Sequence, residues 1–250
     1  MGLQCWTLGE LEKVLQFSNE QVAGIILGDP FCEFRMFPHG NWDLVALAKS
    51  AKGAGKTVVY QTPVYLTHPR FENTVSAIQH LENNGLCDWI LAQDVGLISY
   101  LHDAAMRTPV SWSIWGTDRT SSISYSYVNF LISLGVRGME VVNPEWIEPI
   151  NHLGLQVLMR SYAPTVITYR HKCYVESFFN IRCNMGDLCQ KSKFQIKDLR
   201  RNLRLKVNGY VLEVDAPSLF IQPSFAPDWF TVHLSDSQQL SDFLGESDFS

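Results

Sequence analysis

Cys173, Cys183 and Cys189 bring three thiols into one short stretch of a chain that holds six cysteines. Nine residues separate the first two and five separate the second two. Soft thiolates gathered in this way could hold zinc or an iron–sulfur cluster. The spacing lacks the close Cys-x2-Cys knuckle of common zinc sites and the tight run of the bacterial ferredoxins. Either centre needs a fourth ligand, and Cys32 is the best placed, because it follows the first apolar strand of the chain. The remaining two, Cys5 in an expected N-terminal helix and Cys87 at the start of a strand, read as ordinary buried thiols. Six structural thiols without a metal is the plainer reading of the same residues.

The elements that would position these cysteines follow a regular rhythm. VAGIILG, TVVYQT, CDWILAQ, VSWSIW, GMEVV and LQVLMR are short, nearly continuous apolar runs, and stretches of helical character separate them. Continuous apolar strands alternating with helices indicate βαβ units and a parallel sheet. Six strands before residue 161 favour an α/β fold of the (β/α), TIM-barrel-like kind, in one domain over residues 1–250. In such a barrel, chemistry gathers at the C-terminal ends of the strands. Asp29, Cys32, Thr62, Gln93, Asp94, Asn143, Glu145, Ser161 and Tyr162 all fall at those ends. Each alone is more simply a cap or loop residue.

After residue 161 the rhythm breaks. Residues 161–207 form a cysteine-rich and basic segment inserted after the sixth strand, with Lys191, Lys193, Lys197, Arg200, Arg201, Arg204 and Lys206 against the single acid Asp198. A solvated amphipathic helix is the common meaning of such a run. YVLEV, SLFIQ and WFTVHL then read as returning strands.

A formal charge of -5 argues against a broadly basic nucleic-acid surface. No apolar run is long enough to span a bilayer, and the first residues lack a basic and then apolar leader. The expected location is therefore cytoplasmic. Neither a G-x-S-x-G elbow nor an H-E-x-x-H pair occurs, and the seven histidines show no metal spacing.

Four stretches resemble the collagenase-like peptidase family, family 32 of the peptidases of unknown catalytic type. They are GDPFCEFR, WILAQDVGLISYLHD, LGVRGMEVVNPEWIEPI, and RSYAPTVITYRHKC with the two cysteines beyond it. Within that family the chain is most similar to a cluster-bearing subunit of the oxygen-independent ubiquinone hydroxylases. The resemblance implies a 4Fe-4S cluster on Cys32, Cys173, Cys183 and Cys189. It implies a barrel whose opening strand is absent or much reduced here, and hence an incomplete barrel. It also implies a second subunit of the same family as partner, an aromatic substrate, and prephenate as oxygen donor. Relatives that hydroxylate RNA bases give an alternative, which the basic segment favours. A non-catalytic subunit with a structural cluster is a further one. Arg35, close to Cys32, could grip an anionic donor through two hydrogen bonds; a surface ion pair is its simpler role.

Overall fold

The computed structural model describes residues 2–5, 8–19, 22–28, 41–114, 123–162, 166–169, 173–179, 194–198, 203–208, 211–214 and 228–232. Eight parallel strands form a barrel: β1 (Gly2–Cys5), β2 (Gly24–Leu27), β3 (Thr57–Gln61), β4 (Trp89–Ala92), β5 (Val110–Trp112), β6 (Val136–Val141), β7 (Gln156–Tyr162) and β12 (Trp229–Val232). Strands β2 to β7 make a continuous curled sheet in chain order. The two edges of that sheet meet through β1 and β12, whose ladder pairs only Gly2 with Thr231 and Leu3 with Val232. The seam is thin. Residues 2–5 thus form the short opening strand, not the N-terminal helix expected from the sequence. Their pairing with Gly24–Leu27 is complete, and this tertiary pairing overrides the weak local signal of so short a segment.

Helices α1 (Leu8–Leu15), α2 (Asn41–Gly53), α3 (His68–Asn83), α4 (Val95–Asp103), α5 (Tyr125–Ser133) and α6 (Ile147–His152) alternate with these strands. In α3, Thr74, Val75, Ala77, Ile78 and Leu81 are buried. That spacing of three and four residues is the apolar stripe that a helix lays against a sheet. Pro69 in the first turn of α3 sits where a helix tolerates proline. Asp94 accepts a hydrogen bond from the Leu97 N–H at 2.9 Å and caps α4.

The apolar core divides into two clusters. The larger lies between the strands and the helices and includes Ile25, Val58, Ile90, Trp112, Met139 and Met159. The smaller holds Ile26, Val59, Leu91 and Leu158, with Trp89 and Trp229 packed against it. These residues come from β2, β3, β4 and β7 at alternate positions to the first set, so they fill the barrel interior. Strands buried on both faces need apolar residues at every position, which is why they read as continuous runs.

Between β7 and β12 the described residues form β8 (Val166–Tyr169), α7 (Tyr174–Phe179), β9 (Phe194–Asp198), β10 (Leu203–Asn208) and β11 (Val211–Val214). The four strands form an antiparallel sheet in the order β8-β11-β10-β9. The basic segment is therefore strand, not amphipathic helix, over residues 194–198 and 203–208. Its apolar and polar residues alternate with period two in FQIKD and LRLKVN, which a helix cannot sort onto separate faces. Residues 211–214 likewise belong to this second sheet and not to the barrel. Among the described residues no helix is long and apolar enough to cross a membrane.

Candidate functional site in the barrel interior

One step beyond the apolar floor, β3, β5, β6 and β7 bring buried polar residues to their C-terminal ends. Val59 is followed on its face by Gln61, and Leu158 by Arg160. Arg160 reaches Glu140 on the neighbouring strand β6: its Nε donates to Glu140 Oε1 at 3.0 Å, and its Nη2 donates to Glu140 Oε2. Ser113 Oγ, just past β5, donates to the same Oε2 at 3.1 Å. Glu140 is 0% exposed and Arg160 4%. The interior of a TIM barrel is ordinarily filled with bulky branched side chains. An ion pair taken out of water there costs desolvation that its own attraction barely offsets. A charged and hydrogen-bonded layer at the C-terminal ends of the strands is thus better explained by chemistry than by stability.

Glycines make room for this layer. Gly28, after β2, has φ +117°, and a Cβ there would lie 2.0 Å from the Gln61 carbonyl oxygen. Only glycine lets the end of β2 approach the end of β3 so closely. On β6, a Cβ at Gly138 would fall 2.4 Å from Ser111 Oγ and 3.3 Å from the Gln156 carbonyl oxygen.

Gln61 is wholly buried at the end of β3. Its Nε2 donates to the carbonyls of Thr62 at 3.0 Å and Leu91 at 3.1 Å. Among the described residues its Oε1 has no hydrogen-bond partner, and neither do the buried Thr62 Oγ1, Gln93 Oε1 and Ser111 Oγ.

The residues singled out in the sequence divide sharply. Thr62 and Gln93 join the buried polar layer or its border. Asp94 is a helix cap. Asn143 and Glu145 are exposed and satisfy each other around a short helical turn, with Asn143 Oδ1 accepting the Glu145 N–H at 3.1 Å. Ser161 and Tyr162 complete β7. Cys173 is fully buried, and its carbonyl accepts the Ser177 N–H at 3.0 Å as the first bond of α7. Asp29, Cys32, Arg35, Cys183 and Cys189 lie outside the described residues. Among the described residues no group of three His, Cys, Asp or Glu side chains is placed to hold a metal ion.

Sequence reasoning missed Gln61, Ser113, Glu140 and Arg160. It looked for polar residues after the strands, whereas Glu140 and Arg160 lie within them. A signal was present: an acid and a base each interrupting an otherwise apolar run, in MEVV and in VLMR.

Cys87 occupies the opposite end of the barrel. Its Sγ lies 3.0 Å from the Trp89 carbonyl oxygen, and burial pushes its thiol up to about 12. The expected buried thiol is thus only partly buried.

No protein-family profile matches the chain, and no curated protein matches it in sequence. Solved structures do resemble it. The U32 peptidase Mk0906 aligns over 94% of this chain and 92% of its own, at 14% identity and a TM-score of 0.55. A mandelate racemase/muconate lactonizing protein from Paracoccus denitrificans covers 66% of this chain and 47% of its own, at 14% identity and a TM-score of 0.44. A class V chitinase from Pseudomonas fluorescens covers 85% and 87%, at 9% identity and a TM-score of 0.36. The first of these establishes that the chain shares the fold of a U32 peptidase.

Proposed function

We propose that the chain is a 4Fe-4S subunit of an oxygen-independent hydroxylase, similar to the UbiV subunit of the ubiquinone hydroxylases. The cluster ligands would be Cys32, Cys173, Cys183 and Cys189. The observation that carries this reading is the complete burial of Cys173 in the crossover that leaves the C-terminal end of β7. The same end of the same strand carries Arg160. A thiol held away from water in the segment that follows β7 suits a cluster that must be shielded from oxygen. When bound, the cluster would supply one-electron chemistry next to an aromatic substrate, with prephenate as oxygen donor. In that reading Glu140, Arg160, Ser113 and Gln61 bind and orient the substrate at the barrel mouth. A UbiU-like second subunit belongs to the same proposal. The exposed Tyr100, Tyr125 and Phe130 on α4 and α5 offer it an apolar surface. Cytoplasmic location follows from the chemistry, since a reducing compartment preserves both thiolates and cluster.

The test is anaerobic purification followed by iron, sulfide and zinc analysis. About four irons and four sulfides per chain, lost in Cys173→Ala, are expected. Zinc alone, or no metal, overturns the reading.

One observation favours a second reading, an RNA-modifying protein. Arg204 stands directly opposite Lys197 across β9 and β10, and both are exposed. Like charges directly opposed destabilise a sheet, so the pair makes better sense with a polyanion bound. RNA binding that weakens steeply with salt, and weakens further in Lys197→Ala, is the expected result. Binding that is absent or indifferent to salt removes it.

A further inference from the structure

We infer that Gln61 is the specificity residue of the barrel mouth, and that it selects ligands that present a hydroxyl or N–H hydrogen. This rests on the barrel mouth being the substrate site, as read above, but not on the presence of a cluster. The argument starts from the amide itself. The two ends of a glutamine carboxamide often cannot be told apart, but here the surroundings decide. Nε2 meets two backbone carbonyls, Thr62 O and Leu91 O. Turning the amide over would set its oxygen against both of them. The oxygen is therefore fixed as the free end.

That oxygen is fully buried and has no partner among the described residues. An unpaired buried acceptor destabilises a fold, and an apolar residue of similar size would avoid the loss. Gln93 Oε1, just past the end of β4, is in the same condition. The charges in the same barrel interior do not change the requirement, since Glu140 and Arg160 pair with each other. Gln61 Oε1 and Gln93 Oε1 can only accept, so what pairs with them must bring donors. Because these two charges cancel, a neutral donor fits better than an ammonium ion, whose charge would be left unpaired in the interior.

Two pairs of small aromatic probes differ only in the donor: phenol with anisole, and benzamide with N,N-dimethylbenzamide. Calorimetric titration of the purified chain should show the donor-bearing member of each pair binding about tenfold more tightly. In Gln61→Met the preference should vanish through weaker binding of the donor-bearing member. Should Gln61→Met fail to fold, Gln93→Met, which leaves the Gln61 bonds to Thr62 and Leu91 in place, should narrow the same preference. Equal binding of ether and phenol, no binding of any probe, or a preference that survives both substitutions overturns the inference. Iron content plays no part in this measurement, so a chain without a cluster that still selects donors would sink the hydroxylase reading and leave this one standing.

Discussion

Arg160 holds Glu140 by two hydrogen bonds across adjacent parallel strands inside the barrel, the Nε bond at 3.0 Å, where neither side chain meets solvent. Removing one partner strands a charge in the interior. Arg160→Met should therefore lower stability in urea unfolding by about 3–5 kcal/mol. Changing both residues to Met replaces the pair with apolar volume and should cost less than either single change. A double variant as damaged as the sum of the singles would show that the pair does not act as a unit.

Gly138 gives the second prediction. Its missing side chain leaves room for the Ser111 hydroxyl, 2.4 Å from where a Cβ would stand. Gly138→Ala should cost about 1–3 kcal/mol by overpacking. Adding Ser111→Ala withdraws the oxygen and should recover part of that loss, although the Gln156 carbonyl at 3.3 Å remains close. Strict additivity in the double-mutant cycle would mean that the two sites do not touch energetically.

The outer architecture was legible in the sequence because burial imposes a pattern. Strands such as Thr57–Gln61 and Trp89–Ala92 are covered on both faces, so their apolar runs stand out, and the helices between them carry their own spacing. The closing strand was not legible. Gly2–Cys5 has four residues and no periodicity to read, and its identity depends on Gly24–Leu27 lying alongside. The second sheet was obscured for another reason: its lysines and arginines count as a charge run, and the alternation that marks FQIKD and LRLKVN as strands is visible only when charge is set aside. The site was half legible. Thr62 and Gln93 stand where strand ends predict polar residues, whereas Glu140 and Arg160 interrupt apolar runs and their pairing shows only once both are known to face inward.

Stability in acid should depend on Glu82. Burial alone would raise its carboxyl group, but the backbone N–H groups of Thr108 and Arg107, at 3.0 and 3.1 Å, outweigh that and hold it below the usual value. A carboxyl group depressed on folding contributes its full stability above its unfolded value, about 4.3, and loses it as pH falls through the folded value. Glu82→Gln should thus be less stable than the parent by about 1–2 kcal/mol at neutral pH. The gap should close in acid. Thermal unfolding of both proteins across that range checks this, and a gap independent of pH would rule out the carboxylate as its source.

Cys87 and Cys173 should behave as opposites. The reactive form of a thiol is its thiolate, and burial pushes Cys87 up to about 12, so at pH 8 almost none is ionised. Iodoacetamide should leave Cys87 unmodified in the native chain and label it once urea unfolds the barrel, a difference that peptide mass spectrometry reads directly. Labelling of Cys87 in the native state would mean that the end of the barrel near Asp88 and Lys52 opens freely. The same residue supplies the control for metal content. Cys87→Ala removes a partly buried thiol at the N-terminal end of β4, whereas Cys173→Ala removes a fully buried one in the segment after β7. If iron is retained in the first and lost in the second, while both remain folded by circular dichroism, the loss reports ligation at Cys173. If both lose iron equally, the metal is tracking the stability of the barrel, and Cys173 has no special claim to it.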